Sequence, residues 1–98
     1  MSWPEESTLR AILTLPGVAG TTRADIEKYL AEPERWQRHY YADRPSEPDE
    51  HAEPDAHREW RMRDSEWKCQ FKAAARLRAD MEQAVQSHWH QLIEAKVI

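Results

Sequence analysis

Residues 55–96 contain neither glycine nor proline, although the chain holds two glycines and six prolines elsewhere. The residues that stop or kink helices are therefore confined to the N-terminal part, which excludes a regular alternation of short elements along the whole chain. Cys69 is alone, which excludes an intramolecular disulfide and fits a reducing, cytoplasmic setting. No apolar run approaches the roughly 18 residues a membrane-spanning helix needs. The first residues, Met-Ser-Trp-Pro-Glu-Glu, lack the basic and apolar stretches of a secretory signal. No alternating run of β-branched residues argues for a strand, so the expected class is all-α. With 98 residues, 33% charged and 40% apolar, and a mean hydropathy of −0.97, a single domain of thin, well-exposed helices is expected.

What is present divides into three parts. Residues 1–42 read as short helices. Ser2 and Glu5 form the S-x-x-E pattern of a capping box, and Leu9, Ile12 and Leu13 share a face with Trp3 near its base. Pro16 ends that helix near Thr14 or Leu15, and residues 16–20 connect it to a second helix opened by Thr22 as N-cap, with Ile26, Tyr29 and Leu30 inward. Pro33 suits the first position of a third helix carrying Trp36 and Tyr40. Residues 43–54 form an extended acidic linker around Pro45, Pro48 and Pro54. Residues 55–96 read as one long helix, spanning roughly 60 Å at 1.5 Å per residue. Its apolar stripe runs through Trp60, Trp67, Phe71, Ala74, Met81, Val85, His88 and Leu92, flanked by Leu77 and Ala84.

Charge is unevenly placed. The net charge is −4, yet residues 43–59 alone carry −5, while residues 58–78 carry +4 and present Arg61, Lys68, Lys72 and Arg76 in one line. Asp64 and Glu66 interrupt that line, which reads first as a solvated helix face; the alternative, left open by the residues, is that the acidic linker lies back along it.

The segment Leu15-Pro16-Gly17-Val18-Ala19-Gly20-Thr21-Thr22-Arg23-Ala24-Asp25-Ile26 resembles the helix-hairpin-helix motif. The resemblance implies contact with a nucleic-acid phosphate backbone, without sequence preference, through amides of the hairpin. The Leu-Pro-Gly-Val start and the spacing from Gly17 to Ile26 match. Ala19 stands where the motif has its second glycine, Arg23 stands at its small packing position, and the loop carries no lysine.

Candidate chemistry is sparse. His88 and His90 point to different sides of a helix, and His51 and His57 lie among Glu50, Glu53 and Asp55 without a metal-ligand spacing. Cys69 has Lys68 and Lys72 nearby but no histidine within a turn to serve as base. No cofactor or metal is expected, and three short helices beside a rod offer little of the concavity an enzyme uses.

About forty N-terminal residues in short helices are too few to cover so long a rod, so a homodimer is expected through Trp60, Trp67, Phe71, Met81 and Val85. Trp89 falls off the stripe, which makes it a candidate anchor for another protein, beside the basic line of Arg61, Lys68, Lys72 and Arg76. The function expected is a non-enzymatic protein-binding module, an inhibitor or regulator of a larger complex. Its likeness to the small chains of phages and mobile elements is an analogy of size and charge alone. The alternative is a nucleic-acid binder using the hairpin and the basic line.

Overall fold

The computed structural model describes residues 3–97; Ser2, the expected start of a capping box, lies outside them. Among the described residues five helices follow in order: α1 (Glu6–Thr14), α2 (Gly20–Ala31), α3 (Pro33–Tyr41), α4 (Pro54–Ser87) and α5 (Trp89–Glu94). No strand occurs among the described residues, and the fold is all-α. The molecule measures 62 × 23 × 19 Å. Its length comes from α4, whose 34 residues span about 51 Å.

The three short helices all pack on α4. Leu9 and Ile12 of α1, Ile26 and Tyr29 of α2 and Trp36 of α3 meet Ala74, Leu77, Met81 and Ala84 of α4 in one buried cluster. The spacing of each set by three or four puts it on a single helix face. Removing a large aliphatic side chain of this kind from water contributes about 1.5–3 kcal/mol. Trp3 closes the open end of the cluster by stacking on Tyr29, ring centroids 4.8 Å apart, and meeting Tyr40 edge-on at 5.7 Å.

Local chemistry sets the helix ends. Pro33 occupies the first turn of α3 as expected, where its missing N–H costs nothing. Gly17 adopts φ +78°, a left-handed turn that glycine alone enters cheaply. The start of α2 differs from expectation: it opens at Gly20 with Ala19 as N-cap, not at Thr22. Arg23 explains the tighter connection. Its guanidinium donates to the carbonyl oxygens of Leu13 (2.8 Å) and Leu15 (3.1 Å), satisfying acceptors that the end of α1 leaves unpaired and placing positive charge at that helix's negative end.

The N-terminal half of α4 extends beyond the three short helices and is covered by residues 42–53, a strap without regular structure. The strap runs antiparallel to α4. Trp67 Nε1 donates to the carbonyl of Ala42 and Trp60 Nε1 to that of Pro45, both at 3.0 Å, and His57 meets Glu47. An extended chain advances about 3.1 Å per residue, so five strap residues from 42 to 47 cover about 15 Å. Ten helical residues from 67 to 57 cover the same distance at 1.5 Å each. One strap residue therefore keeps register with two of the helix. The chain then reverses at Asp49, whose Oδ1 accepts from the amide of His51 at 2.9 Å, and Glu53 N–H donates to the Asp49 carbonyl at 2.8 Å. Pro54 follows at the first turn of α4.

One expectation is corrected, and the ground for another changes. The long helix does not run through to residue 96: it breaks at His88. The His88 ring donates from Nδ1 to the Ala84 carbonyl at 2.9 Å, the acceptor its own amide also uses at 3.2 Å, and its backbone leaves the helical region at φ −111°, ψ 15°. The break turns α5 so that Leu92 is enclosed against α1. The changed ground concerns the stripe. Met81 is 0% exposed within the single chain, Val85 packs against the same core, and Phe71 stacks between Tyr40 and Trp67. Trp60 and Trp67 are half-buried under the strap. The stripe is covered in cis, so the packing argument for a homodimer through these five residues no longer holds.

Met81→Ala is expected to lower unfolding stability by about 2–5 kcal/mol in a way that does not depend on protein concentration. Denaturant unfolding at two concentrations a hundredfold apart checks this; a concentration-dependent midpoint in the wild type would return Met81 to an interface between copies.

Candidate functional site

Two surfaces stand out. The first is the face of α4 beneath the strap, built by His57, Trp60, Asp64 and Trp67, which recur at intervals of three or four along one side of the helix. Asp64 sits at its centre. Its side chain is buried, yet it receives Arg44 Nε at 2.8 Å and Arg44 Nη2 at 3.2 Å, with Lys68 Nζ 3.2 Å away. A buried carboxylate is tolerated when its charge and lone pairs are answered in this way. The hydrogen bond from Arg44 holds the Asp64 carboxyl below its ordinary pKa, against the upward push of desolvation and with further help from Lys68. Arg44 also lies 5.9 Å over the Trp67 ring. His57, likewise buried, presents Nε2 to Glu47 Oε1 at 3.1 Å and packs on Trp60 at 5.2 Å between ring centroids. The carboxylate can only accept, so Nε2 carries the proton.

The linker lies along α4, the alternative that its charge left open, but with a mixed sense. Glu50 meets Arg61 at 3.6 Å in the expected direction. The pair at Asp64 is reversed, with an exposed base on the strap and a buried acid on the helix. In the sequence Asp64 reads as an interruption of a basic face; here it is the anchoring point.

The second surface is the C-terminal tip. Trp89, off the main stripe as read from the sequence, is 43% exposed, and Ile93 and Val97 are 46% and 40% exposed. Trp89 and Ile93 share a face of α5 at i, i+4. The chain turns directly after it: Lys96 adopts φ +59°, and the amides of Lys96 and Val97 donate back to Ile93 and Leu92 at 3.0 Å each. This pair of bonds is a Schellman closure with lysine in the position glycine usually takes. Ile93 and Val97 escaped the sequence reading because a helix running through residue 96 gave no reason to treat its last turn separately.

The remaining candidates are dispersed. Arg61 and Lys68 are engaged with Glu50 and Asp64, while Lys72 and Arg76 are exposed on α4. Cys69 is exposed. Among the described residues no group of three His, Cys, Asp or Glu side chains is placed to hold a metal ion, and no helix is long and apolar enough to cross a membrane. The hairpin between α1 and α2 has the left-handed Gly17, but Arg23 is turned inward onto the carbonyls of α1. No protein-family model, curated protein or solved structure matches this chain.

The Arg44–Asp64 pair sets a pH expectation. A carboxyl with a depressed folded pKa contributes stability that is fully present above its unfolded value of about 3.9 and disappears as pH falls through the folded value. The stability difference between wild type and Asp64→Asn is therefore expected to be constant from neutral pH down to about 4 and to close below it. Thermal melts from pH 7 to pH 2 check this; a difference that persists unchanged at pH 2 would contradict it.

Proposed function

We propose that the chain is a non-enzymatic protein-binding module whose contact surface is the C-terminal tip around Trp89. The observation that carries the reading is the exposure of three large apolar side chains, Trp89, Ile93 and Val97, within nine residues at one end of the molecule. Exposed apolar side chains interspersed with polar ones, here His90, Glu94 and Lys96, are the usual composition of an interaction site. Tryptophan is the residue most often found to dominate such interfaces. The partner is another protein, and the role suited to so small a chain is that of an inhibitor or regulator of a larger complex. The phage-type analogy adds nothing beyond size and charge. Of the basic line, Arg61 and Lys68 are already occupied within the chain, which concentrates the proposed contact on Trp89 and its neighbours.

Trp89→Ala is expected to leave helicity and melting temperature nearly unchanged while weakening association with a co-purifying protein by roughly thirtyfold or more, the effect of losing an anchor worth about 2 kcal/mol. Parallel melts and quantitative pull-downs check this. A loss of many degrees on truncation would assign Trp89 to internal packing and remove the anchor.

The left-handed Gly17 between two helices favours nucleic acid as the second reading. Net charge −4 opposes it, and any binding to duplex is expected to be weak and to fall steeply with salt. Sub-micromolar affinity at physiological ionic strength in a mobility-shift titration would reverse the order of the two readings.

A further inference from the structure

The strap meets α4 as a bound peptide would. Residues 42–48 read Ala-Asp-Arg-Pro-Ser-Glu-Pro, two prolines three apart preceded by an arginine. Proline fixes φ near −65° and favours the extended, three-residue-per-turn polyproline II form, whose backbone carbonyls point outward with no internal partner. Ala42 at the start of the segment has φ −64°, ψ 135°, within that form, and the register with α4 matches its rise. The helix offers what such a segment needs. Two indole N–H groups one turn either side of Asp64 donate to strap carbonyls at 3.0 Å. The Asp64 carboxylate takes the strap arginine through two nitrogens. Extended proline-containing segments are recognised elsewhere by this combination of aromatic donors and a charged specificity contact, because they lose little conformational freedom on binding.

We propose that the face formed by Trp60, Asp64 and Trp67 is a binding site for extended, proline-containing segments that carry an arginine, and that residues 42–48 occupy it in cis. The occupancy is held by a few directional polar contacts, in contrast to the apolar cluster under α1–α3, so the strap can leave while the rest of the fold stays intact. A segment of the same chemistry from another protein then competes with the strap for the two indoles and the carboxylate. The cis segment has the advantage of tethering, with an effective concentration in the millimolar range, so the site accepts outside ligands only when the strap's own grip is reduced. This site is separate from the C-terminal tip and stands or falls independently of it.

The test uses the full chain and a synthetic acetylated, amidated peptide of residues 41–49. In Arg44→Ala protein the strap loses its ion pair while the receiving side chains remain. The peptide is expected to shift the Trp60 and Trp67 indole N–H resonances saturably in this variant, and to bind wild type at least about tenfold more weakly because of the tethered competitor. The same peptide with its arginine replaced by alanine is expected not to saturate. Asp64→Asn introduced alongside Arg44→Ala should abolish binding. A second protein, with residues 44–48 replaced by a Gly-Ser segment of equal length, is expected to bind the peptide as well as Arg44→Ala does. Absence of saturable binding to both variants at millimolar peptide overturns the proposal. So does equal binding of the alanine peptide, or loss of helical structure in both variants, since a displaceable strap cannot be required for folding.

Discussion

A long helix needs a cover for its inward side, and this chain has little material with which to supply one. The 34 residues of α4 present apolar or aromatic groups over most of their length, whereas α1, α2 and α3 together suffice only for the C-terminal half. Each part of the architecture answers that constraint. The short helices stack where the stripe is aliphatic, at Ala74, Leu77, Met81 and Ala84. The extended strap serves where it is aromatic and polar, at His57, Trp60, Asp64 and Trp67. The break at His88 folds the last turns back so that Leu92 joins the core.

The two halves of the cover rest on different physics. Under the short helices the contacts are close-packed and non-directional, and they stabilise through area removed from water. Under the strap they are few and directional: two indole donors, one carboxylate, one imidazole. Directional contacts of this kind contribute modestly because each replaces a bond to water, but they specify register, which apolar packing alone would leave loose. Tethering makes up the remainder, since the strap never leaves the neighbourhood of its site.

Much of this was legible in the residues. The segregation of glycine and proline marks the rod, Pro33 marks a helix start, and the alternation of prolines with acids marks an extended linker, though not where that linker lies. What was not legible has physical causes. The break at His88 has no glycine or proline to announce it, because it is made by a side chain competing for a helical carbonyl. Arg23 resembled a misfit in a hairpin pattern, yet it closes the end of α1 through contacts eight and ten residues away. Asp64 looked like a flaw in a basic stripe because its partner, Arg44, lies twenty residues distant. The packing argument for a second copy rested on one assumption, that an extended strap covers nothing. At twice the rise per residue of a helix, a few such residues cover a good deal. The exposure of Trp89 agrees with its offset from the stripe.

The account turns on whether the strap is seated on α4 in solution, and the indole protons report on that most directly. Hydrogen exchange of the five tryptophan Nε1–H groups, resolved by NMR at neutral pH, separates the cases. Trp60 and Trp67 are expected to exchange clearly more slowly than the exposed Trp89, because their protons are held by the Pro45 and Ala42 carbonyls. Exchange of Trp60 and Trp67 as fast as that of Trp89 would mean the strap is not bound, and would contradict the account.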